Sequence, residues 1–477
     1  MMPDRGVFAV TRGVGLLLLA IAGNCFGSEI ALEIVQSDAA PAEVRPLLTR
    51  GEELLPTDCQ RAVTVLREAL RIHRELAGAD SPETIVTLER LAIAQSRSGA
   101  EDDAIANWQL IHQLAVRAFG KEDFRAIGAA AAVQSSLRRK SFSEAQRKSF
   151  AEANESLMAS YGDLAHQTAI DRLSRALELF RATLGPGSRD ARRTRFLLAL
   201  RLVPAGQYDR GVEVLLRDLA ELKREFGETH PFYAQEEGLL CLHYNLLGRQ
   251  QDAVEHGRLV LKVDERSKAL KLEAFKEFQK VLVATYLSLG QQKEAEQVAQ
   301  VLMKSATDNE GHPGRDFIAA ANVLATAMTY GGQKKDRAML MLIKALEDIR
   351  GRGVYPFVDL NEAELTLAKF CVDREEWAHA VTYAEEVRRR PVGVDPALRG
   401  QRAHATELLG TAYVGQGRMD DAIPLLKSTF ELYRSGFGSD DKRTLRVRAQ
   451  LLIALEKTSR AYEVEAMLSE PRPFPPR

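Results

Sequence analysis

Histidine, cysteine and paired carboxylates are the side chains of this chain best able to do chemistry near neutral pH, and their spacing argues against it. The nine histidines are scattered. A helical zinc site needs two histidines four apart, as in HExxH, and no such pair occurs. His230 and His312 each precede a proline in a short turn, where an imidazole can cap the next helix. Gly120-Lys121 lacks the glycine five residues earlier that a phosphate loop requires. Gly436-Phe437-Gly438 runs into Asp441 where a dinucleotide loop needs glycine. Cys59, Cys241 and Cys371 form no CxxC pair. The acidic pairs Asp102-Asp103 and Asp420-Asp421 open predicted helices and complement the helix dipole. Catalytic residues, metal ligands and cofactors are therefore not expected.

The elements that carry these residues repeat. A small residue, followed by an apolar helical pattern, recurs at Ala62, Ala104, Ala169, Gly211, Ala253, Ala295, Ala338, Ala380 and Ala422. The intervals are 42, 65, 42, 42, 42, 43, 42 and 42 residues. A period of this size marks a stack of supersecondary units. Glycines keep the same register. Gly99, Gly206, Gly248, Gly290 and Gly417 stand five positions before an anchor, with Gly332 six before. Gly78, Gly120, Gly185, Gly227, Gly311 and Gly438 stand sixteen after. Glycine accepts the positive φ that closes a helix, so the first set ends one helix of each pair and the second set ends its partner. Twelve positions before most anchors comes a small or compact residue preceded by leucine, as at Leu240-Cys241, Leu367-Ala368 and Leu409-Gly410, which predicts a close helix contact with Cys241 and Cys371 in the core. The interval of 65 exceeds the period by one helix length, so residues 143–165 are expected to hold an insertion or a degenerate repeat.

Composition agrees with an all-α array. The 477 residues are 45% hydrophobic and 27% charged but only 6% aromatic, the profile of short amphipathic helices. A formal net charge of -1 offers no long-range field for nucleic acid or an anionic membrane. The basic run Arg388-Arg389-Arg390 is expected to be a solvated helix end.

The ends differ from the array. Arg5 and Arg12 precede an uncharged stretch from Gly13 to Gly27 whose apolar centre is too short to span a bilayer. It has the form of a secretory signal over 1–27, with cleavage before Ser28 and export to a periplasmic or extracellular space. An uncleaved anchor and a lipoprotein using Cys25 are alternatives, the second disfavoured by Asn24. Residues 28–58 are expected to be a linker and capping helix, 59–142 the N-terminal repeats and 166–468 the main array. The last stretch includes a short amphipathic piece around Ala466. The tail 469–477, with four prolines between Glu470 and Arg477, is expected to be disordered. No integral membrane span is expected after the signal.

The pattern resembles the tetratricopeptide repeat in its 42-residue, kinesin-light-chain-type form. The unit nearest the pattern reads Leu408-Leu409-Gly410-Thr411-Ala412-Tyr413, then Gly417-Arg418-Met419-Asp420-Asp421-Ala422, with Tyr433 and Gly438 following. Tyr244 and Tyr286 share the slot of Tyr413, while Tyr208 and Trp377 share the aromatic slot three before the anchor. Junctions such as Gly227-Glu228-Thr229-His230-Pro231 and Gly311-His312-Pro313 belong to the same pattern. The resemblance covers roughly Cys59 to Leu468. Sustained heptads before Cys59, which a kinesin light chain would carry, are missing.

The resemblance implies a right-handed superhelical solenoid of antiparallel helix pairs whose first helices line a concave groove. Its groove positions lie fifteen, eleven and eight before the anchor. They include Lys280 and Asn322 in the first set, Leu200, Leu242 and Lys369 in the second, and Asn245 and Leu287 in the third. The family's paired Lys, Arg and Asn carboxylate clamp is not reproduced at these positions. Asn245, Lys280, Asn322 and Lys369 are expected to orient a peptide, and Leu200, Leu242 and Leu287 to supply apolar contact. The implied function is an exported scaffold that binds a protein or peptide partner and no nucleic acid. The alternatives are a structural subunit of an envelope or secretion apparatus and an enzyme with its site in 143–165.

Overall fold

The computed structural model describes residues 40–55, 57–162, 166–263, 273–307, 313–314, 316–330, 334–349, 356–393, 395–458, 460 and 462. The expected signal at 1–27, part of the linker, Gly311, His312, Gly332, the segment around Ala466 and the tail 469–477 lie outside them. The chain divides into two compact units, Met1–Gln291 and Gln292–Arg477.

The first unit contains α1 (Arg45–Leu54), α2 (Cys59–Ala77), α3 (Ile85–Ser98), α4 (Glu101–Phe119), α5 (Phe124–Lys140), α6 (Glu144–Gly162), α7 (His166–Leu184), α8 (Arg189–Leu202), α9 (Tyr208–Phe226), α10 (Pro231–Leu246), α11 (Gln250–Val260) and α12 (Glu273–Ser288). The second contains α13 (Gln292–Ser305), α14 (Phe317–Thr329), α15 (Lys335–Ile349), α16 (Phe357–Asp373), α17 (Trp377–Arg389), α18 (Pro396–Gly415), α19 (Met419–Phe437) and α20 (Lys442–Lys457). Within each unit the extensive packing is between helices that follow one another in sequence, the signature of a one-dimensional stack. Among the described residues each unit is an all-α stack of helix pairs, as a solenoid fold requires.

Local chemistry sets the boundaries. Asp58, Asp123, Asp395 and Asp441 cap helix starts by accepting a backbone N–H at 2.8 to 2.9 Å. Helix ends use the two glycine sets: Gly99 closes the first helix α3 at φ 85°, and Gly120 closes the second helix α4 at φ 93°. The anchor alanines are buried on the second helices, and Cys241 and Cys371 are in the core. At the close contact, a Cβ on Gly410 would meet the Leu426 side chain at 2.8 Å. The basic run is not wholly solvated, because Arg390 turns back onto α16, donating to Glu364 Oε1 at 2.6 Å and Asn361 Oδ1 at 2.8 Å.

Residues 144–162 form one additional helix, α6, placed between the first helix α5 and the second helix α7. A reciprocal capping box starts it: Ser143 N donates to Gln146 Oε1 at 3.0 Å and Gln146 N to Ser143 Oγ at 3.3 Å. Phe150 then packs edge-on against Phe142 and Phe180, with centroids 5.8 and 5.6 Å apart. Ala153 and Leu157 are buried in the same cluster. This helix is a member of the core.

Candidate functional site: an arginine-lined crevice among first helices

Two of the first helices in the N-terminal unit are buried on every side: α3 from Ile85 to Gln95 and α10 from Pro231 to Asn245. A helix that lined an open groove would keep one face in water. Here that face is covered, and a small crevice remains where α3, α5, α8 and α10 converge, with Trp108 of α4 at its edge.

The crevice, ≈ 20 Å³, has room for about one water-sized group. Gly128, Ala131 and Ala132 of α5 make space on one wall. Arg189, Arg192 and Arg193 from the start of α8 make another, with Glu89 opposite as the single acid in the lining. Arg189 pairs with Glu89 at 3.8 Å, longer than a hydrogen bond. Arg192 is buried, donates to the Gly187 carbonyl and lies 3.6 Å over the centre of the Phe232 ring. Burial pulls its pKa down to about 9; Glu225 opposes this shift, and Arg195 and Arg189 add to it. It remains cationic at neutral pH. Gln235 of α10 is only 4% exposed, and its Nε2 has no hydrogen-bond partner.

Behind the crevice, Arg195 is wholly buried and bonds Asp218 at 2.9 Å and Glu236 at 2.8 Å. Asp218 also receives Arg181 at 2.5 Å. Four consecutive helices, α7 to α10, thus share one set of buried charges. Burial works against the charge of Arg195, but Glu236 and Asp218 more than offset it and raise its pKa.

The residues expected to form a recognition groove are placed differently. Leu200, Leu242 and Leu287 are core residues, 8%, 3% and 6% exposed. Asn245 is buried and donates to Thr285 Oγ1 of α12 at 2.6 Å. Asn322, also buried, accepts from Thr366 Oγ1 of α16 at 2.8 Å. Both amides tie one first helix to the next and are not presented to solvent. Lys280 is half-buried and paired with Glu277 at 2.6 Å. Lys369 is exposed on α16, and Thr326 is exposed on α14 at the equivalent position.

Two residues of the fifteen-before set, Glu89 and Phe196, do line the crevice. The arginines and Gln235 were missed because they lie up to two turns earlier. A signal was available: Arg189, Arg192 and Arg193 crowd the positive end of a helix dipole, where basic residues are least favourable. Arg193 and Gln235 also share one register position, eighteen before Gly211 and Ala253.

The buried histidines are structural. His230 Nδ1 accepts from Phe232 N at 3.0 Å and caps α10. His243 Nε2 meets the Ala199 carbonyl at 3.1 Å, and His73 Nδ1 meets Thr87 Oγ1 at 2.9 Å. Burial pushes the pKa of His230 down to about 3 and that of His243 to about 4. Among the described residues no group of three His, Cys, Asp or Glu is placed to hold a metal ion, and no helix is long and apolar enough to cross a membrane.

Helix pairs stacked at a fixed sequence period define a helical repeat protein. A tetratricopeptide repeat family model matches residues 58–83, which span Asp58 and the whole of α2. Over that segment the chain is similar to the tetratricopeptide repeat. Solved structures similar to it include the apo form of RapI, at 12% identity and TM-score 0.33 over 87% of this chain and 95% of that one. The TPR domain of P58(IPK) is similar at 14% identity and TM-score 0.23, over 88% of this chain and 99% of that one. Among curated proteins, none matches the chain.

Proposed function

We propose that the protein is an exported scaffold that binds a protein partner on the faces of its first helices, without catalysing a reaction. Tetratricopeptide arrays bind protein partners, and extended repeat surfaces suit that use. The observation that carries the location is a contrast at one register position. Eleven before the anchor, Leu200 and Leu242 are buried in the N-terminal unit, whereas Thr326 (twelve before) and Lys369 face solvent in the C-terminal unit. Exposed polar groups on successive first helices supply the hydrogen-bonding and charged contacts that fix a partner's register. Support for export comes from the arginine-flanked apolar stretch ending near Ser28.

A photo-crosslinking residue placed at Lys369 or Thr326 should capture one discrete protein in the producing cell. The same residue at Leu340, which is 67% exposed on the second helix α15, should capture none. Capture from position 340 alone would move the partner to the second helices and defeat the assignment. Export is checked separately by N-terminal sequencing, with Ser28 the expected first residue and a retained Met1 the contrary result.

A further inference from the structure

Among the described residues α20 is the last first helix, and it leaves open a face that α16 and α18 bury. Two positions recur at intervals of 42 residues: Asn361, Ala403 and Leu445 share one, and Leu365, Glu407 and Ala449 share the other. On α16 and α18 all four residues are buried. There Asn361 Nδ2 donates to Gln401 Oε1 of α18 at 3.1 Å, and Leu365 belongs to the same apolar cluster as Ala403. On α20 the equivalents face water: Leu445 is 44% exposed, Ala449 is exposed, and Ile453, one turn further on, is 40% exposed. Residues four apart lie on one side of a helix, so these three form a single apolar stripe. Asp441 and Lys457 continue the same spacing at its two ends, flanked by the exposed Lys442 and Glu456.

We propose that this stripe is a two-fold interface, at which α20 packs antiparallel against α20 of a second copy of the chain with Ala449 on the axis. The order of residues selects this occupant. In an antiparallel pair centred on Ala449, residues equally far from it on opposite sides face each other. Leu445 then faces Ile453 of the partner subunit, Lys442 faces Glu456 of the partner subunit, and Asp441 faces Lys457 of the partner subunit. Apolar meets apolar, and each charge meets its opposite. A parallel pair would set Lys442 and Glu456 each against its own kind, which costs what the antiparallel pair gains. Alanine at the centre lets the two helix axes approach closely. Asp441 keeps its cap of α20 and its bond to Arg443, and Lys442 keeps its contacts within the chain, because an opposite charge nearby attracts them without displacing these. Arg446, the other charge on this side, is held by Glu407 of α18 at 2.5 Å. Rim charges set the register, and burial of Leu445 and Ile453 supplies the affinity. A net charge of -1 leaves little repulsion between copies. A two-fold contact of this kind closes on itself and yields a dimer.

Sedimentation equilibrium of the purified chain across the micromolar range should show a reversible equilibrium between one chain and two. Ala449→Glu, at an exposed position, brings two carboxylates together on the axis and should leave only single chains, with helical circular dichroism unchanged. Glu456→Lys places like charges at two pairs per dimer and should raise the dimer Kd at least tenfold. Adding Lys442→Glu to it should bring the Kd back. That restoration depends on the antiparallel register, and it decides the matter if Ala449→Glu loses helicity. The proposal is overturned if the unaltered chain stays single throughout, as it would were the stripe covered by the chain's own last residues or by a different protein. It is also overturned if folded Ala449→Glu dimerises as before, if the double charge exchange fails to restore the Kd, or if the assembly grows beyond two chains. The crosslinking positions Lys369 and Thr326 lie on other first helices, so the scaffold reading is left to its own test.

Discussion

The His243 ring occupies the place where the anchor residue of its own repeat array would carry a side chain: a Cβ built on Gly211 falls 2.1 Å from the ring. Every other anchor is alanine, and this one is glycine because an imidazole from α10 fills the space and bonds the Ala199 carbonyl. Gly211→Ala should therefore cost about 1 to 3 kcal/mol, as overpacking of a closed core does. Gly400→Ala, in a helix with nothing within 4 Å of the added Cβ, should stabilise by about 0.5 to 1 kcal/mol from propensity alone. Urea melts of the two variants check the sign difference, and a shared sign would remove the packing argument.

Removing one member of the buried charge set should be far worse than removing a surface pair. Arg195→Met leaves Asp218 and Glu236 facing each other in the core and should destabilise by about 3 to 5 kcal/mol. Arg71→Met, whose pairs with Glu68 and Glu75 lie at the surface, should leave the denaturation midpoint nearly unchanged. Chemical denaturation followed by circular dichroism compares them, and equal midpoints would contradict the burial of Arg195.

Stability should fall as acid is added, before the carboxylates titrate. His230 and His243 have folded pKa values depressed by burial to about 3 and about 4, against an ordinary 6.5. Their stabilising contribution is complete above pH 6.5. Below it the unfolded chain takes up protons that the folded chain refuses, so each histidine removes up to about 1.4 kcal/mol per pH unit until its folded pKa is reached. The denaturation midpoint should thus drop between pH 6.5 and pH 4, and His243→Gln should flatten the slope. A slope unchanged in that variant would show that His243 is not buried neutral.

Thiol reactivity should single out one cysteine. Burial pushes Cys241 up to about 12 and Cys371 up to about 11, and neither is exposed. Cys59 is half-buried, with its Sγ 3.2 Å from the Leu55 carbonyl. Native protein beginning at Ser28 should react with iodoacetamide at Cys59 first, and mass mapping of the labelled peptides checks the order.

The repeat was legible because its markers answer to local rules. Gly99 and Gly120 must take a left-handed φ wherever a helix ends, and Ala104 must be small wherever two helices touch, so both recur at the period of the unit. The solvent exposure of a first helix answers to no local rule. Leu242 and Lys369 hold the same register position, yet one is core and the other faces water. The difference depends on how nearly non-adjacent first helices approach, and Ile127 and Ala131 of α5 packing with Phe232 of α10 is a contact across about 100 residues. Asn245 and Asn322 looked like recognition groups because a polar residue on an apolar face invites a ligand; their partners, Thr285 and Thr366, lie on the next first helix and carry no separate signal in the sequence.

The shared charges of α7 to α10 bear on how such a chain can lengthen or shorten in descent. Elsewhere in a stack, a whole unit can be copied or deleted because its neighbours present the same surfaces on either side. Between Arg181 and Glu236 that freedom is lost, since an inserted or excised pair of helices would separate Arg195 from the carboxylates that neutralise it. Changes in repeat number should therefore fall in the stretches on either side of this block, leaving the crevice in front of it intact.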